Sequence, residues 1–208
     1  MKLYYKPGAC SLASHIILTE IGKPFTIEKV DTQTKRTENG ADFLAINGKG
    51  AVPVLETEDG DILTEGAAIL QFIADSNGAE SLAPKSGTLA RARVQEMLNF
   101  TASELHKAFS PLFSPKSDEN AKDAARAEVA RKFDWLESRL SDGRKHLTGD
   151  TFTVADAYAF NVAYWANFTG IHYSSWPKLK AFLDRVGRRA SVRTAMKAEG
   201  LISEHEGA

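Results

Sequence analysis

A single cysteine, Cys10, falls in the segment Lys2-Leu3-Tyr4-Tyr5-Lys6-Pro7-Gly8-Ala9-Cys10-Ser11-Leu12. That segment reads as a strand, a Pro-Gly turn and a helix start. A thiol in the first turn of a helix faces unpaired backbone N–H groups and the positive end of the helix dipole, and both favour thiolate. Thiolate is the nucleophilic form, so this placement suits a reactive sulfur. The competing reading is a small apolar residue that fills space in the core. One cysteine allows no internal disulfide, so any disulfide must form with a partner thiol. Nearby hydroxyls compete for the same chemistry. Ser11 is either an activating group or a helix cap, and Tyr4 and Tyr5 carry phenols on the preceding strand.

Two further segments suggest contacts to a ligand. Val52-Pro53 lies inside a strand pattern, where proline is normally excluded from the interior. It must mark an edge, a bulge or a cis bond. A cis bond would turn the Val52 backbone groups outward to pair with a peptide-like ligand. Thr64-Glu65-Gly66 follows the last strand and opens a helix, so its N–H groups suit a carboxylate and Glu65 suits an adjacent ammonium. The alternative there is a helix cap and nothing more. A small peptide with a central thiol and an α-amino-acid end would satisfy Cys10, Val52 and Glu65-Gly66 together. Glutathione has that shape. In the second half, Asn99, Ser103 and His106 recur at four and three residues, which on a helix puts them on one face. A polar stripe on an otherwise apolar helix points to a cleft lining, although a lone histidine there is also compatible with packing.

The remainder of the composition excludes other classes. The 208 residues are 43% hydrophobic and 25% charged with a net charge of −1, an ordinary globular balance that offers nothing to nucleic acid or an anionic membrane. No stretch approaches the ~20 apolar residues of a membrane span, and the N-terminus has no leader-like pattern. Together with one cysteine, this makes a reducing cytoplasm the expected compartment. His15, His106, His146, His172 and His205 are scattered without ligand spacing, so no metal site is expected.

The positioning elements fall into two halves. Residues 1–80 read as β-α-β-α-β-β-α: strands at Lys2–Tyr5, Phe25–Val30, Val52–Glu56 and Ile62–Thr64, with a hairpin through Glu58-Asp59-Gly60-Asp61. A helix ends at Gly22, a helical turn lies near 41–45, and another helix covers 65–76. Residues 81–88 read as a linker. From 89 to 208 only helical periodicity remains, in patterns over 89–113, 121–140, 153–168, 177–186 and 191–199. The fold class is thus α/β followed by all-α. Thr153-x-x-Asp156 reads as a structural capping box.

In this order the segments at 2–12, 47–55 (Asn-Gly-Lys-Gly-Ala-Val-Pro-Val-Leu) and 63–69 (Leu-Thr-Glu-Gly-Ala-Ala-Ile) resemble those of bacterial beta-class glutathione S-transferases. Asn99, Ser103-Glu104-Leu105-His106-Lys107 and Phe152-Thr153-Val154-Ala155-Asp156-Ala157 extend the resemblance over nearly the whole chain. It implies a thioredoxin-like N-terminal domain, a helical C-terminal domain, a homodimer and a cis Pro53. It also implies Cys10 and His106 at the glutathione sulfur and Lys35 at the glycine carboxylate. The Val52 backbone would pair with the cysteinyl unit, Glu65 and Gly66 would hold the γ-glutamyl end, and Ser103 and Asn99 would join the site, Asn99 from the partner subunit. The family pattern often has proline where this chain has Gly48, which loosens the loop before Val52. Glutathione would be the co-substrate, with no other cofactor. The second substrate, a small hydrophobic electrophile, would meet Phe109, Phe113 and Trp165. Cys10 adds thiol exchange or peroxide reduction to conjugation. The rival readings are a non-catalytic binding or protein-interaction member of the fold, and a glutathione-dependent dehalogenase or isomerase.

Overall fold

The structure, a computed structural model, describes residues 1–203; the expected scattered His205 lies outside them. The chain divides into two units. One joins Met1–Glu80 to the chain from Arg188 onward, and the other is Ser81–Gly187.

The first unit is built on five strands: β1 (Lys2–Tyr5), β2 (Thr26–Asp31), β3 (Arg36–Thr37), β4 (Val54–Glu56) and β5 (Ile62–Thr64). They lie in the order β3-β2-β1-β4-β5. Only β1 and β2 run parallel, and the other neighbours are antiparallel. Side chains alternate across each strand. Leu3 therefore sits opposite Leu55 on one face, while Tyr4 and Val54 share the other. On that second face they join Val30 and Phe43 in one cluster, with Phe43 opening the short helix α2 (Phe43–Ile46). Helices α1 (Ser11–Ile21) and α3 (Gly66–Ser76) pack on each other, and Leu12, Ile16 and Ile17 of the first and Ile69, Leu70 and Ile73 of the second are fully buried. Gly22, at φ 75°, stops α1 where the sequence places the stop.

β3 has no counterpart in the sequence reading. Two residues are too short for a period, and this strand exists through its pairing with Val30 and Asp31. The last helix, α9 (Ala190–Ala198), also differs from expectation: it packs on α1 within the first unit instead of closing the helical domain. Its Val192, Ala195 and Met196 are buried. Glu20 of α1 binds both Arg189 and Ser191 at its start.

The second unit holds α4 (Leu89–Phe100), α5 (His106–Phe113), α6 (Glu119–Arg139), α7 (Val154–Tyr164) and α8 (Pro177–Gly187). The single helix expected over 89–113 is interrupted by one π turn, Thr101–Leu105. Thr88 and Asp118 cap α4 and α6 through bonds from the N–H groups of Arg91 and Ala121. The Thr153/Asp156 capping box is present. Asp156 accepts from the Leu147 N–H, the Thr153 N–H and the Thr153 hydroxyl, each at 2.8 Å. Burial pushes its carboxyl up to about 6 despite those donors. The expected linker is anchored into this unit: Leu82 and Ala83 are buried, and the Leu82 carbonyl accepts the Val154 N–H.

Candidate active site

Cys10 occupies the N-cap position of α1, half-buried, and its Sγ–H donates to the Val52 carbonyl at 3.3 Å. The thiolate expected from position alone is not what the surroundings favour. Burial pushes the thiol up to about 11; the Cys10 and Ser11 N–H groups pull it down, and the Glu65 carboxylate raises it again. Desolvation outweighs the helix terminus here. In the free protein this sulfur is a thiol at neutral pH.

The hydroxyl of Ser11, expected as a catalytic candidate, is engaged with the backbone. The residue is fully buried, and its hydroxyl accepts from the Lys6 N–H and donates to the Lys6 carbonyl, both at 3.2 Å, closing the turn before the helix. Tyr4 donates to Glu56 at 2.8 Å, and burial holds the Tyr5 phenol above its ordinary value.

The Val52-Pro53 bond is cis. The Val52 carbonyl accepts the hydrogen bond from the Cys10 thiol, while its N–H has no acceptor among the described residues. A buried or half-buried donor in that condition is suited to a ligand. Lys35 reaches the same loop, with Nζ donating to the Gly50 carbonyl at 2.8 Å. A Cβ at Gly50, whose φ is 60°, would lie 3.1 Å from that Nζ, so a side chain there would press on the lysine.

Glu65 has φ 72° and ψ 110°, a conformation rare outside glycine, which costs about 1–3 kcal/mol. Its carbonyl accepts from the Ala68 and Ile69 N–H groups and starts α3. The Gly66 and Ala67 N–H groups point out of the helix end without acceptors among the described residues. The Glu65 carboxylate is exposed and paired with Lys49 at 2.5 Å. Cys10, Lys35, Val52, Pro53, Glu65 and Gly66 thus all belong to the first unit.

Asn99, Ser103, His106, Phe109, Phe113 and Trp165 belong to the second. His106 is half-buried, with Nδ1 3.1 Å from the Tyr158 hydroxyl and its ring edge-on to Trp165 at 4.8 Å. Burial and then the Lys107 charge lower its pKa, so the imidazole is neutral at pH 7. The expected polar stripe is split by the π turn. Ser103 is exposed, donates to the Asn99 carbonyl at 2.8 Å, and opens with Lys107, Ala108 and Pro111 onto a groove of ≈ 650 Å³ along α6. His106 instead faces Tyr158 and Trp165 of α7 and the turn that follows it. Phe109 also departs from expectation: it is fully buried between Phe133 and Trp165, in the core rather than on a pocket wall. Phe113 is exposed and edge-on to Trp165 at 5.4 Å.

Three residues the sequence did not single out support these groups. Lys49 pairs with Glu65, and Tyr158 holds His106. Glu199, buried after α9, accepts the Gly8 N–H and contacts His15 Nδ1, each at 2.9 Å. Lys49 lay in a recognised segment and Tyr158 in a recognised helix. Glu199 had no local signal, being 191 residues from the turn it holds. Among the described residues no group of three or more His, Cys, Asp or Glu side chains is placed to hold a metal.

A thiol at a helix start, a cis-proline loop and an acidic helix start on a mixed sheet, joined to an all-helical unit, define a thiol-peptide-binding class of protein. Comparisons identify the family. The model for the N-terminal domain of glutathione S-transferases matches residues 8–76, and that for the C-terminal domain matches 100–190. The chain is 45% identical over 201 residues to glutathione S-transferase GstA of Escherichia coli O157:H7, covering 97% of this chain and 100% of that protein. A solved sphingomonad glutathione S-transferase, complexed with glutathione, is 45% identical with a TM-score of 0.93, covering 97% of this chain and all of that one. The bacterial beta-class glutathione S-transferase of Sphingomonas chungbukensis is 46% identical with a TM-score of 0.94 over the same shares. This chain belongs to the glutathione S-transferase family, in its bacterial beta class.

Proposed function

We propose that the protein is a glutathione transferase that joins the glutathione thiolate to small hydrophobic electrophiles. The observation that carries this is the grouping in one unit of Cys10, the unpaired Val52 N–H and the strained Glu65 at the start of α3. The Val52 N–H pairs with the cysteinyl carbonyl, Lys35 with the glycine carboxylate, and Glu65 and Gly66 with the γ-glutamyl ammonium and carboxylate. Neutral His106, oriented by Tyr158, takes the thiol proton and passes it to solvent. The glutathione sulfur then forms a bond to the electrophilic carbon, and the leaving group departs with its electron pair. Holding the two reactants together supplies much of the rate. Phe113 and Trp165 line the electrophile's position; Ser103 and Asn99 complete the glutathione contacts, Asn99 reaching across a homodimer. A cytoplasmic location fits a cycle that consumes reduced glutathione, and no helix of the described residues is long and apolar enough to cross a membrane.

Cys10 adds thiol exchange. Its sulfur attacks a glutathione mixed disulfide as the Cys10 proton passes to the departing sulfur, so that an S–S bond to glutathione forms and the other partner leaves as a thiol. A second glutathione then releases glutathione disulfide and restores Cys10. A hydroperoxide would be reduced to alcohol and water at the cost of two glutathiones.

Retention on a glutathione column followed by glutathione-dependent turnover of an aromatic halide tests the assignment. Retention without turnover would assign a non-catalytic binding protein instead.

A further inference from the structure

The Glu65 carboxylate already holds a cation. Lys49 Nζ lies 2.5 Å from Glu65 Oε1 and donates to the Thr64 hydroxyl at 2.7 Å. Glu65 has its backbone set at φ 72° by the start of α3. The backbone of Lys49 is held from below by the buried Asn47: the Lys49 N–H donates to Asn47 Oδ1, the Gly50 N–H to the Asn47 carbonyl, and Asn47 Nδ2 to the Ala51 carbonyl. Above these held backbones both side chains are exposed, Lys49 at 54% and Glu65 at 73%, and Lys49 has the longer, four-carbon arm. An exposed ammonium on a flexible arm therefore rests on an exposed carboxylate whose backbone is held at the start of α3.

We propose that Lys49 is an internal counter-ion standing in the ammonium position of the peptide site, so that a γ-glutamyl ligand binds by exchanging its own ammonium for that of Lys49. The proposal rests on the assignment of Glu65 to the γ-glutamyl end. The exchange keeps the carboxylate paired in both states, and it sets affinity, because the ligand must displace a competitor. The same arm returns when product leaves.

The experiment is calorimetric titration of the intact protein with glutathione and with glutaryl-cysteinylglycine, which keeps both carboxylates and lacks the α-ammonium. Lys49→Gln removes the competitor, and Lys49→Arg keeps a cation on the arm. Lys49→Gln is expected to bind glutathione about two- to five-fold more tightly, the range an exposed ion pair is worth. Lys49→Arg should match the unsubstituted protein, and the deamino analogue should gain nothing from Lys49→Gln. Equal or weaker glutathione binding by Lys49→Gln, or equal tightening for both ligands, overturns the proposal while leaving the glutathione site intact. Failure of the unsubstituted protein to bind glutathione overturns the site assignment and this inference with it.

Discussion

At Cys10 the helix terminus and the surrounding protein pull in opposite directions. The N–H groups of α1 favour negative charge on sulfur, while burial and the Glu65 carboxylate oppose it, and the thiol ends near 11. In the free enzyme Cys10 is therefore a hydrogen-bond donor to Val52, and the nucleophile in conjugation is the glutathione sulfur. Alkylation of Cys10 by iodoacetamide should then climb nearly tenfold per pH unit between about pH 7 and pH 10, tracking the thiolate fraction. A plateau near neutrality would show a low-pKa cysteine. The position of Cys10 was legible in the sequence because a strand, Pro7-Gly8 and a helix start are local signals. Its ionisation was not, since that depends on how deeply the folded chain buries the sulfur and on the charge of Glu65, 55 positions further along the chain.

Among the elements, those with a strong local period were legible, and so were those closed by a punctuating residue. Gly22 ends α1 and the Asp59-Gly60 turn joins β4 to β5, as their chemistry dictates. β3 was not legible, because its pairing partners create it. The π turn was hidden as well: an inserted residue keeps the sequence looking helical while re-aiming the side chains after it. That is why Ser103 and His106 diverge. The capping box at α7 was legible as structure, and its energetics follow from burial. Asp156→Ala strands the Leu147 and Thr153 N–H groups and should cost at least about 2 kcal/mol in chemical denaturation. A loss within about 0.5 kcal/mol would contradict that role. The Asp156 carboxyl binds its proton more tightly folded than unfolded. Its contribution to stability is therefore largest below about pH 4 and is lost as pH rises through about 6. Asp156→Asn should flatten that segment of the stability–pH curve.

For the whole molecule, the return of α9 to the first unit is the feature with the widest consequence. It buries Val192, Ala195 and Met196, and it carries Glu199 to the Gly8 N–H beside the Cys10 turn. Ending the chain after Gly187 removes these contacts, each large apolar side chain being worth roughly 1.5–3 kcal/mol. The shortened protein should melt well below the intact one and lose glutathione binding; unchanged melting would show α9 to be dispensable. The family assignment rests on both units, and the proposed chemistry turns on the acidity of glutathione's sulfur. Titrating the Cys10→Ala variant with glutathione at neutral pH while recording ultraviolet thiolate absorbance reads that acidity without interference from the protein's own sulfur. Saturable thiolate absorbance, one equivalent per site, is the predicted result. Saturable binding with the bound sulfur still protonated at pH 7 would contradict it.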